Sequence, residues 1–600
     1  MSNLIDFWHS HFPIFSILIP AFTAFLLIIL GNPGSACLQT DWRQPIRHAI
    51  SWVSAVIGLL LAIGLVSYAS NDNIKFYELS EWSAPFGIVL VVDRLSAMMV
   101  LLTYLLAVPI LWYASASWDQ RGRYFHAMFH FLLMGISGAF LTGDLFNLFV
   151  FFEVLLMASY VLLLHSHTKR RFQLGVHYVI INLLASSIFL IGLGLIYGSV
   201  GSLNMADVAR LLPTLDADNH QMALVGGMLL FVVFGIKAAI LPLGLWLPKT
   251  YAVAATPVAA IFALMTKVGI YAILRVNGTV FSDIEGQKLL AQWLLAIGLI
   301  TSIYGVIGAV GAERLRRFIG FMVLSSIGTI TIGISLFSVN AWAGALYYLV
   351  HSTFIAASFY LFAEWICLQR GPIAKDHLNV SPMMKQGTLL SVIFLLLALM
   401  LAGLPPFSGF IGKVFILQGT QDHPFQVWII LAVVIVSILS ILALVRVGFI
   451  LFWRATTPES DPKEAAYHAY QALADHPPQR GNWALYTLLL MLMVYAVCAD
   501  PVYRYTSATA VQLQDKKLYQ DTILKRDLHN DTISVQPFDP NYIPEVYGQS
   551  NPDQYQKYIP YIISEKTLNG EHIPKEKANP QPQNTALLPD ADVKMVPVQE

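Results

Sequence analysis

The chain reads as an all-α polytopic membrane protein of about fourteen transmembrane helices, with two inverted five-helix repeats and with helices 7 and 12 broken. Three observations predict this. Of its 600 residues, 56% are hydrophobic and only 12% are charged, whereas a soluble domain carries about 25% charged residues. Apolar stretches close to the roughly 20 residues that cross a bilayer recur along most of the chain. Two of them are interrupted by proline and glycine at matching places in the order of spans, the pattern of inverted repeats with ion sites at the breaks.

The spans fall near 12–30, 49–68, 87–113, 126–142, 145–165, 176–198, 222–247, 250–275, 290–310, 318–338, 342–367, 387–418, 426–452 and 484–500. The first three, with their loops, make an N-terminal segment over 1–113. Two five-span blocks follow over 114–275 and 276–455, and a loop with the last span occupies 456–500. The start, MSNLIDFWHSHF, has no basic stretch before Arg43, so no cleavable signal is expected. After 500 the chain turns polar and rich in Pro, Tyr, Gln and Asn, as in QPFDPNYIPEVYGQSNPDQYQKYIPYIISEK (536–566). A disordered tail over 501–600 is expected, because such a composition cannot bury enough apolar surface to order itself.

Orientation follows from the basic residues. Alternate loops hold Arg43 and Arg47; Arg121 and Arg123; Lys169, Arg170 and Arg171; Lys249; Arg314, Arg316 and Arg317; Arg370, Lys375 and Lys385; and Arg454, Lys463 and Arg480. The loops between them hold little more than Lys75, Arg210 and Lys288. Basic loops stay inside. With an even number of spans, the N-terminus and the C-terminal tail then both lie outside the cytoplasm.

Residues 387–418 would form a helix of about 48 Å at 1.5 Å per residue, against about 30 Å of hydrocarbon. LAGLPPFSGFIGK (401–413) divides it: Pro405 and Pro406 remove backbone donors, and Gly409 loosens the chain. FGIKAAILPLGLWLPK (234–249) repeats the theme with Pro242 and Gly244. Each break falls in the fourth span of its five-span block. Five is odd, so successive blocks insert with opposite orientation. Freed backbone at such a break must face protein or water.

Lys237, Lys267 and Lys413 lie within these apolar stretches, as do Glu153 and His351. A charge at mid-bilayer costs about 2.5–3.5 kcal/mol even on lenient scales, so a chain that buries several is expected to move charge. A buried lysine can load and release a proton, and histidine titrates near neutrality. Static ion pairing between helices is the plainer reading of any one of these groups. It does not explain why lysines stand at the helix breaks.

Other polar residues read more simply. Asp144 is a helix-start residue, Glu364 near the end of its span is expected to snorkel, His177 is interfacial, and Arg446 has no partner that the sequence names. His126 and His130 have an i, i+4 spacing that two metal ligands could use, but the sequence offers no third ligand. Cys37, Cys367 and Cys498 are scattered singly. No phosphate-binding loop, dinucleotide fingerprint or nucleophile elbow occurs. No catalytic residue, metal or cofactor is therefore expected. A formal net charge of zero gives no field that would attract nucleic acid.

Six segments carry a resemblance: VDRLSAMM (92–99), GDLFNLFVFFEVLLMASYVLL (143–163), FGIKAAILPLGLWLPKTYAVAATPVAA (234–260), LMTKVGIYAILR (264–275), YYLVHSTFIAASFYL (347–361) and AGLPPFSGFIGKVFIL (402–417). Together they resemble the antiporter-like subunits shared by respiratory complex I and the Mrp-type multisubunit cation/proton antiporters. GDLFNLFVFFEVLL is most similar to the D-type subunits of the latter. The resemblance spans roughly 90–455 and implies fourteen helices with helices 7 and 12 discontinuous. It also implies a proton path in which Glu153 pairs with Lys237, Lys267 is central, and His351 relays to Lys413.

The reading that follows is a proton-translocating subunit of a Na+ (or K+)/H+ antiporter in a bacterial inner membrane. Its partners would be other membrane subunits of a hetero-oligomer, lipid, protons and monovalent cations. The alternative is a pumping subunit of a complex I-like NADH:quinone oxidoreductase whose redox centres lie in partner chains. A scaffold subunit with vestigial charges is a third class.

Overall fold

Helices dominate because a backbone in hydrocarbon must satisfy its own polar groups, and a helix does so within one segment. A computed structural model describes residues 2–31, 43–70, 74–456 and 479–525, apart from 117, 166, 167, 282–285, 380, 383, 385 and 422. Eleven of the described helices are long and apolar enough to cross a membrane, or twelve if one bent pair counts as a single span. Three shorter apolar helices accompany them.

In chain order, α1 (Ser2–Ile29) and α2 (Gln44–Ala69) lead into an antiparallel hairpin of β1 (Lys75–Glu78) and β2 (Val89–Val92). Helix α3 (Arg94–Ser115) starts on a capping box: Asp93 Oδ1 accepts from Ser96 N at 2.8 Å, and Asp93 N donates to Ser96 Oγ at 2.9 Å. The short α4 (Phe125–Leu141), α5 (Leu145–Leu163) and α6 (Lys169–Val200) follow. Next come the short, largely buried α7 (Met205–Leu211), then α8 (Ala217–Ala238) and α9 (Leu247–Val253) on either side of the first break. Helix α10 (Thr256–Ala272) runs on through a wider turn, Ile273–Val280.

The second half has α11 (Gly286–Val310), α12 (Leu315–Ser335), the long α13 (Val339–Ala374), and α14 (Gly387–Ala402) and α15 (Ser408–Gln418) about the second break. It ends with α16 (Gln426–Gly448) and α17 (Gln479–Val497). Two more helices, α18 (Ala499–Gln514) and α19 (Lys516–Ile523), close the described chain, with α18 bent by 78° from α17.

Burial separates the helices by what they can carry. The apolar windows of α10, α12 and α13 are wholly enclosed by other helices, whereas only a third of the α16 window is. Enclosed helices can hold ionisable groups because those groups face protein rather than lipid. Helix α10 packs against both α8 and α13. The residues on it thus stand next to both halves of the molecule.

Two expectations are corrected. The segment 87–113 is not one span: its first residues pair as β2, and the helix begins at Arg94. The polar tail does not start at 501, because α18 and α19 are ordered and packed. Thr506, Thr509, Ala510 and Leu513 are buried, an i, i+3, i+4, i+7 stripe that needs no high mean hydropathy. Gln512 Oε1 accepts from Arg94 N at 3.0 Å, and Tyr505 Oη donates to Arg94 O at 2.9 Å. Tyr519 of α19 is buried with its ring 5.6 Å from the Arg275 guanidinium, and Lys525 pairs with Glu78 of β1 at 3.0 Å. The remainder, 526–600, and residues 457–478 lie outside the described residues.

Candidate functional site

The first break forms where α8 ends at Ala238 and Ala239 takes a left-handed conformation, φ +61°. Pro242 cannot donate, so the freed groups around it need other partners. Ile240 N turns back to Gly235 O at 3.0 Å, Leu241 N donates to Thr301 Oγ1 of α11 at 3.0 Å, and Trp246 Nε1 donates to Ile236 O at 3.3 Å. Gly244 lies so close to the left-handed residue that an added Cβ would be 2.0 Å from Ala239 O. Pro242, His177 and Lys249, with a mostly apolar remainder that includes Leu184, Leu245 and Trp246, line an open cavity of about 370 Å³ beside this break.

Lys237 lies in the last turn of α8, just ahead of the break. Its Nζ donates to Asn182 Oδ1 of α6 at 3.1 Å and stands 5.9 Å from the Phe152 ring centroid. Glu153 of α5 accepts from Ser186 Oγ, one turn along α6 from Asn182. Ser186 Oγ also reaches Asn182 O at 3.0 Å. The acid and the lysine therefore make no direct ion pair: a two-residue polar step on α6 stands between them.

Lys267 lies mid-way along α10, wholly buried, and its Nζ has no hydrogen-bond partner among the described residues. An uncompensated ammonium in such a place is costly. The charged form of this nitrogen therefore needs a water or another acceptor beside it.

The second break follows Ala402, where Gly403 takes φ +77° to end α14. Lys413 of α15 reaches back over the gap. Its Nζ donates to Ala402 O, the last carbonyl of α14, at 2.9 Å, and to Ser437 Oγ of α16 at 3.0 Å. His351 of α13 pairs through Nδ1 with Ser408 Oγ, the first residue of α15, at 2.8 Å, and its Nε2 is buried without a hydrogen-bond partner among the described residues. Gly409 makes this fit possible, since an added Cβ would lie 2.3 Å from Met400 O and 2.8 Å from His351 Nε2. Pro405 and Pro406 occupy the gap between the half-helices.

The structure thus gathers Glu153 and Lys237 about α6, and His351 and Lys413 about the second break, with Lys267 on the helix that touches both α8 and α13. Sequence reasoning missed the hydroxyl and amide partners Asn182, Ser186, Ser408 and Ser437. Asn182 and Ser186, four apart in an otherwise apolar span, were a usable signal.

It also missed two buried ion pairs. Arg275 Nη2 binds Asp93 Oδ2 at 2.6 Å. Glu364 does not snorkel but is buried against Arg316, with Thr256 Oγ1 donating to its carboxylate at 3.0 Å. Arg446 finds the carbonyls of Val310 and Ala312 at 2.6 and 3.1 Å. Asp144 caps α5, accepting from Asn147 N at 2.7 Å. His126 and His130 both bond Ser51 of α2, at 3.0 and 2.9 Å.

Against known proteins, residues 142–442 match the family model described as "NADH:quinone oxidoreductase/Mrp antiporter, TM". The chain is 36% identical to a D-type subunit of a probable K(+)/H(+) antiporter of Rhizobium meliloti, over 86% of this chain and 98% of that one. It is 33% identical to the D-type subunit of a Na(+)/H(+) antiporter of Alkalihalophilus pseudofirmus, over 88% and 100%. A chain of the Mrp complex of Dietzia sp. superimposes with a TM-score of 0.75 at 26% identity, covering 86% of this chain and 99% of that chain. A chain of an archaeal membrane-bound sulfane sulfur reductase shares the fold, with a TM-score of 0.73 at 20% identity over 85% and 99%.

Proposed function

The chain belongs to the NADH:quinone oxidoreductase/Mrp antiporter family of membrane subunits, and from that premise we propose that it is the D-type subunit of a multisubunit Na+/H+ or K+/H+ antiporter. On this reading it is a subunit of a secondary transporter rather than an enzyme, it sits in a bacterial inner membrane, and it works with other membrane subunits.

One observation carries the proposal. Two lysines stand at two helix breaks, each bound to a polar atom of a neighbouring helix, and a third lysine, unpartnered among the described residues, lies on the helix packed between those halves. Adding α4, the broken pair α14 and α15, and α17 to the eleven long helices gives fourteen spans. The blocks over 114–275 and 276–455 are then the inverted repeats, with the N-terminus and the residues after α17 outside.

In this mechanism a proton reaches the first half through water in the cavity beside Pro242. Lys237, when charged, is held by Asn182 and attracted by the Glu153 carboxylate beyond it. Protonation of Glu153 removes that attraction, so Lys237 gives up its ammonium proton more readily and that proton passes to Lys267. From there His351 and Lys413 carry it to the second break. The protonmotive force on this path drives cation movement in the opposite sense, so no cofactor is needed.

The pumping-subunit alternative shares the same path. The relatives named as antiporter subunits, at 36% and 33% identity, support antiport over redox coupling. The test is cation-dependent proton flux in everted vesicles from cells expressing the whole complex. Lys237→Ala, Lys267→Ala and Lys413→Ala should each assemble and each abolish flux. Flux at the wild-type rate in all three would remove the path.

A further inference from the structure

At the end of the bundle that carries Arg43, Arg47 and Arg121, three metal-ligating side chains from three separate elements converge. His48 comes from the first turns of α2, Asp119 from the turn Asp119–Arg121, and His126 from the first turn of α4. Their ligand atoms all lie within 4.8 Å of one another. His48 Nε2 is 2.6 Å from Asp119 Oδ2, and His126 Nε2 is 3.4 Å from the same oxygen. Asp119 and His126 are each only 6% exposed.

The hydrogen bonds around these groups leave an electron-rich gap. His126 Nδ1 is 3.0 Å from Ser51 Oγ, which sets the orientation of the ring and turns Nε2 toward the Asp119 carboxylate. Asp119 Oδ1 is buried with no hydrogen-bond partner among the described residues, and the approach of His126 Nε2 to Asp119 Oδ2 is long, at 3.4 Å. Buried polar atoms are almost always paired, so a buried carboxylate oxygen without a partner, beside two imidazoles, leaves a place for a cation. The nearby arginines are engaged elsewhere. Arg47 donates to Gly31 O at 3.1 Å, Arg43 to Leu30 O at 3.3 Å, and Arg121 stacks on Trp118 at 4.0 Å. His130, one turn deeper, faces the other side of Ser51 at 2.9 Å.

We propose that His48, Asp119 and His126 form a binding site for a divalent transition-metal ion of the Zn2+ type. Two imidazoles and a carboxylate suit such an ion, and a water can fill the fourth position. Bonds of about 2.0–2.1 Å at tetrahedral angles place neighbouring ligand atoms about 3.3–3.4 Å apart. The His126–Asp119 separation already has that value, and the shorter His48 contact opens as its proton is displaced. Ser51 acts behind the ligands, orienting the His126 ring as outer partners of metal-bound histidines do. The side chain of His48 is 23% exposed, which leaves an entry route. A bound ion would tie α2 to α4. This assignment does not depend on what the chain transports.

The test is equilibrium dialysis of the purified, untagged full-length protein, with its co-purifying subunits, against Zn2+ alone. The wild type should hold one more Zn2+ per chain than His126→Ala/Asp119→Ala. Cobalt substitution should give tetrahedral visible absorption that the double variant lacks. Ser51→Ala should weaken binding about 10–100-fold, whereas His177→Ala should leave it unchanged. His48→Gln, at the more exposed position, should also lose the extra ion and covers the case in which the buried variants fail to fold. Equal zinc uptake by wild type and His48→Gln, or by wild type and the double variant, would overturn the assignment and leave a proton as the cation that satisfies the gap.

Discussion

Replacing Asn182 tests whether α6 is the conductor between Glu153 and Lys237 or merely a neighbour. In Asn182→Ala the Lys237 ammonium loses its amide partner at 3.1 Å, and Glu153 keeps Ser186. A hydrogen bond to a charged group contributes about 1.5–3 kcal/mol. If charged Lys237 is needed in the rate-limiting step, the exchange rate should fall about 10- to 150-fold, since each 1.36 kcal/mol is a factor of about ten. The assay is cation-dependent collapse of a pH gradient in everted vesicles, normalised to the amount of assembled complex. Glu153→Gln alone should also be slow, and Asn182→Ala added to it should slow exchange much less than it does in the wild type. That non-additivity is the signature of groups acting as one unit. An Asn182→Ala protein exchanging within twofold of wild type, in a background where Lys237→Ala is inactive, would refute the bridge.

The other predictions concern charge, the C-terminal helices and the ion pairs. Arginine keeps the positive charge but does not release a proton, so Lys267→Arg and Lys413→Arg should assemble and yet fail to exchange, as alanine variants would; wild-type rates in both arginine variants would make the lysines fixed charges. Truncation after Lys525 should leave flux near normal, whereas truncation after Gln514 removes Tyr519 from Arg275 and should lower the midpoint of thermal unfolding of the purified complex. Arg275→Met leaves Asp93 buried and unpaired, which costs about 3–5 kcal/mol, and should reduce the amount of assembled complex on a native gel far more than Arg504→Met at the exposed Asp500 pair.

Much of this architecture is legible in the sequence because membrane helices announce themselves by length and hydropathy. The lysines and the prolines are legible because they violate that hydropathy. What the sequence hides are groups that blend into it. Ser408 and Ser437 look like small fillers in apolar runs, and only the fold shows that they bond His351 and Lys413. Helix α18 escapes notice because its buried stripe is made of Thr506, Thr509, Ala510 and Leu513, which give little mean hydropathy yet pack one face. Asp119 is hidden for a different reason. It stands seven residues before His126 and 71 after His48, so nothing short of tertiary structure joins the three.

The two breaks are not chemically equivalent, and the difference bears on direction. At the first, Lys237 donates to a side-chain amide, so the freed backbone of α8 is satisfied by Thr301 and Trp246 whether or not the lysine is charged. At the second, the Lys413 ammonium itself caps the last carbonyl of α14. Neutral Lys413 would be a weaker donor, and charge-assisted hydrogen bonds are roughly twice as strong as neutral ones. The geometry of the second break is therefore tied to a proton in a way that the first is not. His351 bonds the first residue of α15, so a shift of that half-helix on deprotonation of Lys413 would reach the histidine directly. The proposed path, ending at a break held by its own proton, would have a built-in difference between its ends. Vectorial transport needs such a difference, and two copies of the first break would not supply it.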